Sequence, residues 1–235
     1  VGGGTFVRRD GHRRRLRART AVSATTVGFA ACSYDGGVDH VTVQPYRSGD
    51  EEGWVRCRAL SFLGSAYFDD VRREKERYER PSIELVAEKD GSIVGLIDVE
   101  CEQAPGTLCS DRPGLGGMIW HLAVHPDHQR RGIATALLGE AERLAAERGL
   151  VRVEAWTRDD EHVRAWYESH GFARIDSYLH VYVELSEGLR DLFPISEGLR
   201  PVKVFAHYTG ERRDEVKQRF ARVHDCVLYE REFQR

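Results

Sequence analysis

Six consecutive residues, Gln129-Arg130-Arg131-Gly132-Ile133-Ala134, carry the strongest chemical signal in the sequence. Gly132 lets a ligand approach the backbone, Ala134 is too small to block it, and Arg130 and Arg131 add positive charge. At the start of a helix such a turn aims free backbone N–H groups and the helix dipole at one point, which then binds phosphate. Thr135 adds a hydroxyl at the same place. A short distance upstream stands His121, a side chain of ordinary pKa ~6.5 that accepts a proton near neutrality without special tuning. Its alternative is a hydrogen-bonded histidine on a sheet surface. Glu100, with Asp98 and Glu154, competes for the same base role, though each reads first as a solvated or salt-bridged strand residue.

These residues need a strand, a turn and a helix to hold them. Met118 to Val124 is a short apolar run with the composition of a buried strand. Ile133, Leu137, Ala141 and Leu144 recur at helical spacing, with Glu140, Glu142, Arg143 and Glu147 on the other faces, and Gly149 fits the C-terminus. Upstream, Val41 to Tyr46 reads as a strand, and Asp50 caps a helix that presents Trp54, Cys57 and Leu60. A second, charged helix is expected from Tyr67 to Arg80, stopping before Pro81. Ile83–Glu88 and Ser92–Glu102 form a hairpin about Lys89-Asp90-Gly91. The stretch Gln103–Gly117 holds two prolines and four glycines without periodicity, a functional or mobile loop. Downstream come a strand over Val151–Trp156, a helix capped by Asp159 or Asp160 with Val163, Trp166 and Tyr167 on one face, and two strands from Phe172 to Leu185, broken near Asp176-Ser177.

Gln129-x-x-Gly132-x-Ala134 between strand and helix resembles the acyl-CoA signature of the GNAT superfamily of N-acyltransferases. Leu122-Ala123-Val124-His125-Pro126 and Gly132-Ile133-Ala134-x-x-Leu137-Leu138 match its flanks. Ala165-Trp166-Tyr167-Glu168-Ser169-His170-Gly171-Phe172 resembles the family's later Tyr-x-x-x-Gly-Phe element. The likeness covers roughly Val41 to Leu185. It implies an α/β fold with a mixed, mostly antiparallel central sheet flanked by helices, and acetyl transfer from acetyl-CoA to an amine by direct attack. Backbone amides from Gln129 through Arg130, Arg131, Gly132 and Ile133 to Ala134 would then hold the diphosphate, helped by Thr135. The strand edge at Leu122 and Val124 would pair with the pantetheine arm, as in strand addition. Tyr167 takes the position of the general acid, with core packing as its rival role, and His121 or Glu100 the base. The family often has Asn where Asp160 stands. Asp160 lacks the amide donor and is read as a plain helix cap. A non-catalytic acyl-CoA-binding module on the same fold is the alternative function.

The composition, 41% hydrophobic and 31% charged with a net charge of −3, is that of a globular chain without a general pull toward nucleic acid or membrane. Five scattered cysteines without a C-x-x-C pair read as reduced thiols, and no metal site is expected. No apolar run approaches the ~20 residues that span a bilayer. A cytoplasmic location is expected, with a small-molecule or peptide amine as partner and a homodimer open. Residues 1–37, with seven arginines between Arg8 and Arg19, read as a basic tail. An export signal and a nucleic-acid-binding arm are the alternatives there. Residues 38–185 form the main domain and 186–235 an α/β extension packed on it, with a strand at Val202–His207, a helix at Glu211–Val223 and a short strand at Val227–Tyr229.

Overall fold

Ser92–Cys101 is the most deeply buried strand, with neighbours on both edges and helices on both faces. The computed structural model describes residues 32–35, 40–188 and 201–233, with Leu192, Gly198 and Leu199 between the last two stretches. In chain order the strands are β1 (Cys32–Asp35), β2 (His40–Pro45), β3 (Ser82–Lys89), β4 (Ser92–Cys101), β5 (Leu115–Val124), β6 (Leu150–Thr157), β7 (Ala173–Glu184), β8 (Lys203–Tyr208) and β9 (Arg222–Glu232). The helices are α1 (Glu51–Leu63), α2 (Ile133–Glu147), α3 (Glu161–Ser169) and α4 (Arg213–Arg219). All the strands join one sheet in the order β1-β2-β3-β4-β5-β6-β9-β7-β8. Only β5 and β6 run parallel, and α2 makes the crossover between them.

Pleat and helical period together set the layers. Leu96 points to one face, where Trp54 and Cys57 of α1 cover it. Its neighbour Ile97 points to the other, against Ile133, Leu137, Leu138 and Ala141 of α2. Gly95 has no side chain to hold α2 off, and a Cβ there would meet Ile133 and Leu137 at 2.8 and 3.0 Å. The hairpin between β3 and β4 turns on Asp90 and Gly91, both left-handed at φ 51° and 75°, as a two-residue hairpin requires.

Three expectations need correction. No helix forms between Tyr67 and Arg80; the segment is irregular. It has no apolar stripe to bury, and its polar side chains are drawn to different places: Lys75 to Glu84 and Asp98, Asp70 to Arg58, Asp69 to Arg222, Tyr78 to Asp98. Ala173–Glu184 is one strand, because the register shift at Arg174/Asp176 absorbs the break. The strand around Val227–Tyr229 is long, Arg222–Glu232, and lies inside the sheet between β6 and β7. β8 and β9, beyond Leu185, therefore belong to the same sheet as the strands before them. At the other end, β1 pairs with β2 within the stretch read as a tail. The arginine run and the signal-like segment of residues 1–31 lie outside the described residues.

Candidate active site

Pairing between β5 and β6 stops early. Its register runs from Leu115↔Leu150 to Ile119↔Ala155, whereas β5 stays paired with β4 as far as Val124. A bulge on β5, where Asp98 faces His121 but Val99 faces Ile119, turns the strand just where the two part. Beyond Ile119, the β6-side edge of Trp120 to Val124 has no strand partner among the described residues and borders a cleft of about 1430 Å³.

The turn after β5 opens on the same cleft. Arg130 is left-handed at φ 64°, a conformation uncommon outside glycine, and Gly132 follows at φ 78°. Left-handed residues spaced in this way fold successive N–H groups into an anion-binding concavity. The first-turn amides of Ile133, Ala134 and Thr135 extend it, since no intrahelical carbonyl reaches them and no side chain caps Gly132. Gln129 lines the cleft and donates its Nε2 to the Val124 carbonyl at 3.1 Å, tying the turn to the open strand. Arg130 lines the cleft as well. Arg131 is not among the lining residues and reaches back to the Asp127 carbonyl at 3.2 Å. Thr135 places its hydroxyl 2.9 Å from His170 Nε2. Because His170 Nδ1–H donates to the Trp166 carbonyl at 2.8 Å, Nε2 accepts from Thr135, which clasps the start of α2 to the end of α3.

Tyr167 projects from α3 into the cleft with only 6% of its surface exposed. Its ring lies nearly parallel to Tyr229 at 5.4 Å and edge-on to Phe172 at 5.0 Å. Burial, with Tyr229 beside it, pushes the phenol pKa well above its usual range, so the hydroxyl keeps its proton. No hydrogen bond to that hydroxyl contributes to the shift.

His121 is held differently. Arg58 Nε–H donates to its Nδ1 at 3.3 Å, and its Nε2 donates to Glu76 at 3.2 Å. Burial lowers its pKa to about 4, against the pull of Glu76. The ring is neutral, with both nitrogens engaged, and offers no free lone pair to a substrate. Glu76 is half-buried in the cleft wall, with His121 and Arg72 holding its carboxylate charged. Glu100 also faces the cleft, paired with Arg80 at 3.3 Å and with Trp120 Nε1 at 2.9 Å. The rival carboxylates are spent elsewhere. Asp98, raised to about 6 by burial, accepts from Tyr78 and Lys75 at 3.0 Å each. Glu154 holds the Ser110 amide and Arg152.

The cleft walls come from segments that carry no periodic signal. The Gln103–Gly117 loop is pinned from beneath: Glu102 accepts from the Leu108, Cys109 and Gly116 amides, and Arg152 donates to the Ser110, Pro113 and Gly114 carbonyls. Asp160 does not cap α3 with its side chain. Its carboxylate takes the Ala66 amide at 3.0 and 3.1 Å, tying α3 to the irregular segment opposite. Trp120, Trp156 and Trp166 all line the cleft. Sequence reasoning missed Glu76 and Arg58, which stand on an aperiodic stretch and an otherwise ordinary helix; only proximity in space marks them.

A comparison with solved structures gives the fold. A ribosomal-protein-alanine N-acetyltransferase from Brucella melitensis superposes with a TM-score of 0.51 over 81% of this chain and 99% of its own, at 13% identity, which shows a shared fold. The chain belongs to the acetyltransferase (GNAT) family, whose model matches residues 51–172. An acetyltransferase of Pectobacterium atrosepticum is 29% identical over 139 residues, 57% of this chain and 89% of that protein. One of Sodalis glossinidius is 30% identical over 127 residues, 54% and 80% respectively.

Proposed function

We propose that the protein transfers an acetyl group from acetyl-CoA to an amine, both bound in the cleft at once. The observation that carries this reading is the meeting, in one cleft, of an anion-binding turn, an open strand edge and a buried, protonated phenol. The amides between Gln129 and Ala134 would take the diphosphate, with Arg130 beside them; Arg131 turns away. The free edge at Leu122 and Val124 suits the amides of a pantetheine arm, which would add to β5 like a short strand. Tyr167 then holds a proton ready for the departing sulfur. On the opposite side, we assign proton uptake from the incoming ammonium to Glu76, the cleft-facing carboxylate that His121 and Arg72 hold, and leave His121 as its support. Glu100, fixed by Arg80 and Trp120, shapes the acceptor end. A metabolite such as acetyl-CoA places the reaction in the cytoplasm.

The test is release of free thiol from acetyl-CoA over a panel of amines. Tyr167→Phe is expected to lower kcat by about 10²-fold or more while the Kd for acetyl-CoA stays within about twofold. Tight binding with no turnover on any amine would instead make the protein a binding module.

A further inference from the structure

Tyr167 is buried and no hydrogen bond contributes to the state of its hydroxyl among the described residues, so its aim is set by the packing of its ring. Tyr229 stacks on that ring at 5.4 Å and 15°, while Trp166 and Phe172 meet it edge-on at 5.2 and 5.0 Å. Tyr229 is completely buried. It sits on β9 between Ala155 of β6 and Arg174 of β7, a place in the sheet with strands on both sides. Its own hydroxyl donates to Glu168 at 2.8 Å, and Glu168 is further held by Arg174. One side chain therefore grips two consecutive residues of α3: its ring carries Tyr167, and its hydroxyl carries Glu168.

We propose that Tyr229 is a positioning residue for Tyr167, and that the last strand takes part in the transfer by aiming the acid it never replaces. This rests on the assignment of Tyr167 as the proton donor. A ring set on helix packing alone shifts with every rotation of α3. A ring stacked on an inner strand, with the next residue tied to the same side chain, keeps the hydroxyl where sulfur must leave. Small displacements of a reacting group lower rates by large factors, so the loss should appear in kcat.

The experiment is a cycle of four full-length proteins: the parent, Tyr229→Leu, Tyr167→Phe and the double variant, each assayed for kcat and for the KM of acetyl-CoA. Tyr229→Leu removes the flat face and is expected to lower kcat by at least about tenfold with KM within about twofold. In the Tyr167→Phe background the same change should lower kcat by less than about twofold, because there is no longer a hydroxyl to aim. Tyr229→Phe, which keeps the stack, should restore most of kcat. Equal losses in both backgrounds would make Tyr229 a structural residue only and overturn the proposal. So would a Tyr229→Leu enzyme with undiminished kcat. A fully active Tyr167→Phe enzyme would overturn the assignment of the acid itself, and the proposal with it. If Tyr229→Leu does not fold, Tyr229→Met keeps comparable bulk without a flat ring and serves the same comparison.

Discussion

Burial acts on Tyr167 and His121 in opposite senses and leaves both uncharged. The phenol is pushed up and keeps its proton, as the role proposed for it requires. The imidazole is pushed down to about 4 and gives up its charge. His180 is a second such ring, lowered to about 3 by burial and by Arg158, with His207 and His224 adding to the effect and Asp159 opposing it. Both folded values lie below the unfolded one near ~6.5, so the unfolded chain binds more protons below that pH. The stability these rings contribute is complete above about pH 6.5 and drains away as pH falls toward 4. Thermal melts from pH 7.5 to 4.5 should show a falling midpoint, and His180→Gln should flatten the slope. An unchanged slope in the variant would mean that His180 is not held neutral. For the same reason, the rate profile should lack a step near ~6.5 belonging to His121.

Among the elements, the left-handed turn at Arg130 and Gly132 and the helix α2 were the most legible in advance. An apolar stripe of period 3.6 and a glycine at a strand–helix junction are local facts, and local facts survive without a structure. The segment between α1 and β3 was misread because a charged run before a proline suggests a helix, whereas its conformation is dictated one side chain at a time. Lys75 enters a buried site between Glu84 and Asp98 and lies against the rings of Tyr46 and Tyr78, partners that no window of sequence brings together. The Gln103–Gly117 loop was legible as aperiodic but not as fixed. Arg152 fixes it, and removal of that guanidinium would leave Glu102, Glu154 and Glu230 buried without their shared partner. Arg152→Met should therefore destabilise the fold by about 3–5 kcal/mol, read from denaturant unfolding. A loss below about 1 kcal/mol would show that the loop does not depend on it.

At the level of the whole molecule, the sheet is closed by a strand that arrives last. Length and alternation suggested a short strand at Val227–Tyr229 and could not place it, since which edge a strand joins depends on partners far away in sequence. Its position between β6 and β7 means that the chain cannot be cut after the main motif block without opening the sheet. Tyr229, Cys226 and Leu228 would leave behind an exposed core. A fragment ending at Gly188 should show no cooperative melt and no affinity for acetyl-CoA. A cooperative transition in that fragment would contradict the inserted strand. The same strand reaches Asp69 through Arg222 and Arg112 through Glu230, so it ties both aperiodic cleft walls to the core that carries Tyr167.

The most direct measurement is a calorimetric titration of acetyl-CoA into the full chain and into its Gly132→Glu variant, beside their melting curves. Gly132 is left-handed at φ 78°, and a glutamate there adds both backbone strain and a negative charge at the mouth of the turn. The parent should bind at micromolar concentration, and the variant should stay folded but bind at least about 10²-fold more weakly. A parent that ignores acetyl-CoA at millimolar concentration, or a folded variant that binds it as tightly as the parent, would contradict the assignment of the diphosphate to this turn.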